Sequence, residues 1–271
     1  KENQIINKVK HLLRKIGAPK RLHRFGPKIY ELWQHVFALF IKANCRLSYR
    51  RTTKFLRSLG FNVATKSTLQ RYSAKLFLPF WQKLLSLSAP EVTDLVSLDG
   101  TGLERTCASN HYVHRIGLEK PYCKGFHFSI LIGENNKILS LRLRKNYGRD
   151  TKDVKILFNN LKQKPKIALM DKGYDAEWIH EFLEKQGIHS IAPTRKNART
   201  GKYRKILKKN FPQKLYNKRS RVESTFHAFK QKYGSNISSH KIASARSEVY
   251  CKAILHNIFL KTIQLLGHTL I

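Results

Sequence analysis

Four residues in the last quarter of the chain have the types and spacing of a charged chemical site. They are Tyr216, Arg219, Glu223 and Lys230, separated by two, three and six residues. On an α-helix, at about 100° per residue, this spacing places all four side chains within an arc of about 60°. Because a buried charge is costly unless it is paired or bound to a metal, such a face has to point into solvent or contact a charged partner.

An apolar stripe lies directly beside this charged arc. It follows the i, i+4, i+7, i+11 spacing of a core-facing helix surface and consists of Val222, Phe226, Phe229 and Tyr233. We therefore expect the helix to pack on a core, with Glu223 at the rim. A second interpretation is that Glu223 only orients Arg219 through an i, i+4 pair on a surface that faces nucleic acid.

Two aspartates follow short apolar runs earlier in the chain. Asp99 follows the run 95–98 and precedes Gly100, and Asp171 follows the run 167–170 and precedes Lys172. Each run predicts a β-strand that ends in a carboxylate. An aspartate at such a place is also a common turn former, and taken alone each residue allows that interpretation.

The tyrosine, arginine, glutamate and lysine signature resembles that of prokaryotic insertion-sequence transposases of the DDE type, and all four positions match. The resemblance implies that Asp99, Asp171 and Glu223 are the catalytic, metal-binding carboxylates, with Asp99 shared by two Mg²⁺ or Mn²⁺ ions. Such ions, about 4 Å apart, activate the attacking oxygen and stabilise the leaving one, and they prefer oxygen ligands. Water would nick the DNA and the freed 3′-hydroxyl would then attack the target, without a protein nucleophile.

The same resemblance implies several DNA contacts. Arg219 and Lys230 would hold phosphates near the scissile bond, and Tyr216 would help to seat the strand. Arg195 and Lys196 follow a predicted strand in a way that resembles the basic turn of the family near its active site. The alternative for this basic segment, 194–209, is a disordered tether, because it has few large apolar residues.

The distribution of charge also predicts a DNA partner. The 271 residues include 53 Lys and Arg against 17 Asp and Glu, a formal net charge of +36. Residues 1–90 and 194–271 have net charges of +17 and +16, whereas residues 91–193 have only +3. The basic flanks would neutralise phosphates along a DNA path. Biased codon usage would explain the total charge but not this partition.

The first 90 residues predict a helical DNA-binding region. Apolar periodicity indicates a helix over residues 29–40. Ser48 would cap a second helix that ends near Leu59, and a third would run from about residue 65 to Leu76, in the style of a helix-turn-helix. Lys66 and Arg71 on this third helix suit the major groove, although any pair of short basic helices would look similar.

From residue 91 to residue 271 the pattern predicts an α/β catalytic domain. Three sequential antiparallel strands are expected at 94–99, 126–132 and 138–143, followed by a helix near 151–163. Strand 166–171, helix 175–186 and strand 188–192 would form a βαβ unit. A last helix including residues 246–260 would pack on the core. This order resembles the ribonuclease H-like core, a mixed sheet with carboxylates at strand ends.

Other residues near the aspartates have structural interpretations. Asp150, Asp153 and Asp175 each precede an amphipathic run and are interpreted as helix caps. Trp178 is interpreted as helix core, with a base-stacking platform as the alternative. The four cysteines show no framework spacing, which fits a reduced compartment. A zinc site is a further alternative, formed by Cys107, His111, His114 and Cys123.

These observations and the resemblance together predict a DNA transposase. It would bind the terminal inverted repeats of its element as a homodimer in a synaptic complex, cleave the ends of the element and join the 3′-hydroxyls to double-stranded target DNA. No apolar run reaches the ~20 residues of a membrane span, so we expect a cytoplasmic, nucleoid-associated protein. A metal-dependent nuclease without strand transfer and a domesticated DNA-binding protein are the alternatives.

Overall fold

The computed structural model describes residues 2–22, 28–89, 93–105, 115, 117, 125–145 and 148–267. The chain forms two compact units. The helical unit comprises Lys1–Ser88, Glu104–Lys124 and Lys230–Ile271, and the sheet unit comprises Ala89–Leu103 and Gly125–Phe229. The four residues of the alternative zinc site lie outside the described residues. The predicted functional division at residue 90 stays a prediction.

The helices and strands follow one another in this order. Among the described residues, five helices come first: α1 (Glu2–Lys15), α2 (Leu32–Asn44), α3 (Tyr49–Ser58), α4 (Lys66–Lys75) and α5 (Leu78–Ser88). The middle of the chain holds β1 (Leu95–Arg105), β2 (Phe126–Gly133), β3 (Ile138–Arg144), α6 (Val154–Asn159), β4 (Ile167–Met170), α7 (Glu177–Glu184) and β5 (His189–Ile191). The rest holds α8 (Lys202–Lys209), α9 (Gln213–Tyr216), α10 (Ser220–Tyr233), β6 (Asn236–Ile237) and α11 (Ile242–Gly267). Short 3₁₀ helices span Asp150–Asp153, Lys172–Tyr174 and Asn217–Arg219.

Local sequence explains where two helices of the helical unit begin. The Ser48 hydroxyl accepts from the backbone N–H of Arg51 at 3.2 Å, and the Thr65 hydroxyl accepts from that of Thr68 at 3.4 Å. Each bond satisfies one of the free N–H groups of a helix N-terminus. The predicted helix pair is therefore confirmed as α3 and α4.

The last helix, α11, packs against the N-terminal helices α2, α4 and α5. The Trp81 indole N–H donates to the Ser247 hydroxyl at 2.9 Å, and the Asn257 amide donates to the Ser88 hydroxyl at 2.9 Å. Apolar residues elsewhere on this helix are buried as well. The predicted final helix is thus confirmed, and the core on which it packs is that of the helical unit. No described helix is long and apolar enough to cross a membrane.

The sheet unit contains a mixed five-stranded sheet in the order β3-β2-β1-β4-β5. The first three strands in the chain pair antiparallel, whereas β4 pairs parallel with both β1 and β5. In the helical unit, the last two residues of β1 pair with β6. The three antiparallel strands and the βαβ unit are confirmed, and the mixed sheet agrees with the predicted ribonuclease H-like core.

The two faces of this sheet are covered by different helices. On one face, Val96 and Leu98 of β1 join the buried side chains of α6 and α7 in one apolar cluster. On the other face, the Phe128 ring lies 5.9 Å from the ring of Phe226 and 5.4 Å from that of Phe229, on α10. Because side chains alternate along a strand, residue 99 points toward the face that α10 covers. The predicted apolar stripe of α10 is buried throughout.

A buried carboxylate fastens the 3₁₀ helix before α6 to strands β2 and β3. The Asp153 side chain is fully buried, and it accepts from the Ser129 hydroxyl at 2.6 Å. Arg142 Nη1 lies 3.0 Å and Arg144 Nε 2.8 Å from its oxygens. The carboxylate makes no capping bond to α6. The cap prediction for Asp153 was wrong, because two arginines of β3 offer stronger, charged donors.

We predict that Asp153→Ala lowers the free energy of unfolding by about 3 kcal/mol, because it leaves two partly buried guanidinium groups without their shared partner. Urea denaturation followed by circular dichroism measures this loss. Asp94→Ala is the matched control, since the Asp94 side chain is 62% exposed and, among the described residues, forms an ion pair only with Lys166, at 3.2 Å. The control should lose less than about 1 kcal/mol. Equal losses for both variants would contradict a structural role of the buried cluster.

Candidate active site

The register of two neighbouring strands places Asp99 and Asp171 side by side. Strands β1 and β4 run parallel, and their last paired residues are Leu98 and Met170. Asp99 and Asp171 are the residues that follow this last pair, so the two carboxylates lie side by side at the carboxyl end of β4. Asp171 ends its strand as predicted. Asp99 does not, because β1 continues beside β2 as far as Leu103.

The Asp99 carboxylate is held in a defined orientation. Its Oδ1 accepts from the backbone N–H of Gly100 at 2.7 Å, and its Oδ2 lies 3.4 Å from Nη1 of Arg219. Burial raises the pKa of Asp99 above its usual value. The Gly100 N–H and Arg219 act against this shift, whereas the negative charges of Asp171 and Glu223 add to it. Three acids therefore repel one another in a partly buried place, which favours a bound cation.

Arg219 joins two of the three acids. Its Nη1 faces Asp99, and its Nη2 donates to Oε1 of Glu223 one helical turn further on. Burial lowers the pKa of the Arg219 guanidinium, but the charges of Tyr216, Asp99, Glu223 and Asp171 outweigh burial and raise it. The guanidinium is thus a cation that lies between carboxylates contributed by β1 and α10. Glu223 itself is 58% exposed at the rim, as predicted.

Tyr216 packs beside this arginine. Its ring meets that of Phe211 edge-on at 5.1 Å, and the Arg219 guanidinium carbon lies 5.9 Å from the ring centre. Burial raises the pKa of the Tyr216 hydroxyl, with Arg219 acting against this shift. The 3₁₀ helix Asn217–Arg219 follows α9 directly and leads into α10. Tyr216, Arg219 and Glu223 thus lie close together, although a 3₁₀ helix separates α9 from α10 and the three residues do not share one continuous α-helix.

The three carboxylates of the site are suitable ligands for a hard divalent cation. Three carboxylates supply oxygen ligands of the kind that Mg²⁺ and Mn²⁺ prefer. The Arg219 guanidinium stands in for such a cation between Asp99 and Glu223. Within the described ranges, no three His, Cys, Asp or Glu side chains lie close enough together to hold a metal ion in this arrangement. Closing the site around a metal therefore requires the Glu223 side chain and Arg219 to move.

His127, which the sequence analysis missed, and Asp150, which it interpreted as a helix cap, lie close to Gly100, the residue that follows Asp99. Nε2 of His127 lies 3.0 Å from Oδ1 of Asp150 and 3.0 Å from the Ser129 hydroxyl. Burial lowers the pKa of His127, while Asp150 acts in the opposite direction. A Cβ at residue 100 would lie 3.0 Å from the His127 ring and 3.2 Å from Asp150, so Gly100 permits this close approach. The signal in the sequence was the alternation of His127 and Ser129 in the otherwise apolar strand β2.

Tyr174 lies beneath the same group of acids. Its side chain is buried, and its hydroxyl has no hydrogen-bond partner among the residues that the structure describes. Burial raises the pKa of Tyr174 well above its usual value, and the negative charges of Asp150, Asp99, Asp153 and Asp171 add to the shift. A buried phenol near these negative charges stays neutral at physiological pH.

The basic segment after β5 is anchored at the edge of the site. The Asp175 carboxylate accepts from the backbone N–H of Arg195 at 2.7 Å and from Nε of Arg204 at 2.8 Å. Glu177 accepts from the backbone N–H of Tyr203 at 2.9 Å. The cap prediction for Asp175 was wrong, because its carboxylate binds Arg195 and Arg204 and α7 has no side-chain cap. The tether interpretation was also wrong, because two carboxylates hold this segment and its second half folds as α8.

Other predicted contacts are distributed over the two units. Arg195 is exposed, and its Nη2 donates to the Gly173 carbonyl at 3.4 Å, two residues from Asp171. Lys196 beside it is exposed as well. Lys230 lies on α10 within the helical unit, as do Lys66 and Arg71 on α4, which are exposed. The structure thus brings Asp99, Asp171, Glu223, Arg219 and Tyr216 together in the sheet unit, with Arg195 nearby.

Trp178 does not form helix core. It is 40% exposed on α7, and Nζ of Lys155 lies 5.3 Å from the centre of its ring. The core positions of this helix are instead filled by Ile179 and Leu183. The prediction of a core position was wrong, because the face of the helix that carries Ile179 and Leu183 packs on the core and Trp178 lies on an exposed face.

Comparison with known proteins identifies the family of this chain. The family model described as the transposase DDE domain matches residues 90–258. A solved structure of the piggyBac transposase synaptic complex with hairpin DNA is similar in fold, with a TM-score of 0.50 and 12% sequence identity. The similarity covers 95% of this chain and 72% of that chain. No curated protein sequence matches the chain.

The family match spans more than half of the chain and includes all three acids of the site. Members of this family use divalent metal ions to cleave and transfer DNA. The mixed sheet, the adjacent aspartates and the glutamate helix on the same face agree with this chemistry. The chain therefore belongs to the transposase DDE domain family, and its function is that of a DNA transposase.

Proposed function

We propose that this transposase cuts DNA at the terminal inverted repeats of its element and joins the freed 3′-hydroxyls to target DNA at the site formed by Asp99, Asp171 and Glu223. The observation that carries this proposal is the pair of contacts that Arg219 makes with Asp99 and Glu223, because it places acids that are distant in sequence around one cation. Asp171, next to Asp99 across the paired strands, completes the set.

The three acids would hold two Mg²⁺ or Mn²⁺ ions, with Asp99 contributing to both. Such ions supply activation of the attacking oxygen and stabilisation of the leaving one. The fixed orientation of Asp99 by the Gly100 N–H favours this shared role. Glu223 is exposed at the N-terminal turn of α10, so its side chain has the freedom to approach the aspartates.

The cations of the site would serve the DNA strand. Once its carboxylate partners bind metal, Arg219 becomes available to a phosphate near the scissile bond, and Tyr216 supports it from the side. Arg195 and Lys196 would contact phosphates further along the strand, and Lys230 would do the same from the last turn of α10. Lys66 and Arg71, exposed on the second helix of the helix pair, would contact the terminal repeat.

The proposed reaction also implies an oligomeric state and a cellular location. Two element ends have to be brought together, so we propose a homodimer in the synaptic complex, associated with the nucleoid. The excess of basic residues in both flanks of the chain supports a long DNA path. A nuclease without strand transfer would use the same acids, and an assay for joining of a labelled 3′ end to a second duplex separates the two functions.

We predict that Glu223→Gln retains binding to terminal-repeat DNA but loses Mg²⁺-dependent cleavage by about 100-fold or more. The reason is that a metal ligand contributes several kcal/mol to the transition state, whereas binding rests on the basic surfaces. Cleavage of a labelled duplex and a gel-shift titration measure the two properties. Glu184→Gln is the matched control, because Glu184 is exposed on α7. Cleavage at the wild-type rate would remove Glu223 from the catalytic account.

We also predict that Arg219→Gln binds Mn²⁺ more tightly in the absence of DNA, by about three- to tenfold. The guanidinium competes with the metal for Asp99 and Glu223, and its removal frees an ion pair worth about 1 kcal/mol. Electron paramagnetic resonance of free Mn²⁺ gives the affinity directly. Arg221→Gln is the control, because this residue of α10 donates to the Glu134 carbonyl instead. Weaker Mn²⁺ binding in the Arg219 variant would contradict the competition.

A further inference from the structure

The helical unit contains a cavity of about 320 Å³, separate from the three acids. It is bounded by the end of α2, the segment after α10 and one face of α11, and its lining includes Lys42, Arg46, Lys252 and Glu248. Its volume is at the lower end of the range for small-molecule sites. Among the lining residues that the structure describes, three are cations and one is an acid.

The charges in this cavity do not balance. The side chains of Lys42, Glu248 and Lys252 are only 5, 7 and 5% exposed. Nζ of Lys42 lies 3.2 Å from one oxygen of Glu248, and Nζ of Lys252 lies 3.4 Å from the other. One carboxylate thus faces two ammonium groups. Because a buried charge is costly unless it is paired, the remaining positive charge favours an anion.

The single carboxylate is already fully engaged. Besides the two lysines, Glu248 accepts from the Ser238 backbone N–H at 3.2 Å, from the Ser238 hydroxyl at 2.9 Å and from the Ser239 hydroxyl at 2.8 Å. Burial would raise the pKa of Glu248, but Lys42, Lys252 and the serine donors outweigh it and lower the pKa to about 2. Glu248 is therefore ionised at neutral pH and holds the lysines in place.

Further hydrogen bonds hold the three cations that line the cavity. Nζ of Lys42 donates to the Ser238 hydroxyl at 2.9 Å, and Nζ of Lys252 donates to the Asn236 carbonyl at 3.0 Å. Arg46 lies exposed at the mouth of the cavity, where its Nε donates to the Lys232 carbonyl at 3.0 Å and fixes the guanidinium. The backbone of Arg46 is in the left-handed region, with φ at 53°.

We propose that this cavity binds a phosphate group, held by Lys42 and Lys252 from within and by Arg46 at the mouth. Phosphate fits because it is a tetrahedral oxyanion that accepts from several ammonium, guanidinium and hydroxyl donors at once. Two sources share this chemistry, a backbone phosphate of DNA and a free phosphate or phosphate monoester. The proposal goes beyond the transposase reaction, since it does not depend on the three acids.

The first arm of the test uses inorganic phosphate with the full chain. Isothermal titration at constant ionic strength, adjusted with chloride, should show saturable binding to the wild type. Arg46→Gln should weaken binding by about tenfold, the value of one charge-assisted contact. Arg50→Gln is the matched control on α3, because Arg50 is exposed and does not line the cavity. An absence of saturable binding, or equal affinities in the wild type and Arg46→Gln, would overturn the proposal.

A second variant tests the sign of the charge balance. Glu248→Gln keeps the shape of the side chain but removes the negative charge that repels phosphate, so it should bind phosphate about tenfold more tightly. A role of Glu248 in folding alone would not raise phosphate affinity, and circular dichroism establishes that the variant is folded. Unchanged or weaker binding by the folded variant would contradict the proposal. If the variant does not fold, Arg46→Gln decides the outcome, because its side chain is exposed.

The second arm distinguishes the two sources of phosphate. A short duplex is titrated in the presence and absence of saturating phosphate, with the wild type and Arg46→Gln. If phosphate weakens duplex binding by the wild type but not by Arg46→Gln, the cavity binds a backbone phosphate of DNA. If phosphate binds to the wild type without weakening duplex binding, the cavity binds a free phosphate or a phosphate monoester. Cleavage activity is not needed in either arm, so failure of the cavity and failure of the proposed catalytic site are distinguishable.

Discussion

Repulsion between carboxylates is the constraint on which the active site depends. Asp99 is partly buried, and its pKa is raised by burial and by the nearby charges of Asp171 and Glu223. Such an arrangement is stable only with a cation among the acids, and Arg219 supplies it by contacting Asp99 and Glu223. In the proposed reaction, a divalent metal would replace the guanidinium among the acids, and Arg219 would become available to the substrate.

The rest of the sheet unit serves to bring these charges together. Parallel pairing of β1 and β4 sets the two aspartates side by side. Burial of Phe226 and Phe229 against Phe128 places α10, and with it Glu223, on the face toward which Asp99 points. Around this centre, Asp153 and Asp175 bind arginines and fix the neighbouring segments. The apolar packing thus determines where the charges meet, and the charges determine what the site binds.

Much of this arrangement follows from local sequence. The alternating strands, the Ser48 cap and the apolar stripe of α10 each depend on residues close in the chain, and all three were predicted. The two cap errors share one physical cause. Asp153 and Asp175 precede helices and satisfy the local pattern of a cap, but arginines distant in sequence bind them more strongly. The continuation of β1 past Asp99 likewise depends on its partner β2, which no local pattern reports.

A crystal structure with Mn²⁺, located by anomalous scattering, would show directly whether the three acids form one metal site. We expect two Mn²⁺ ions with oxygens of Asp99, Asp171 and Glu223 among their ligands, and Arg219 moved away from both of its present partners. Mn²⁺ bound elsewhere, or an Arg219 that stays between Asp99 and Glu223 at saturating metal, would contradict this expectation.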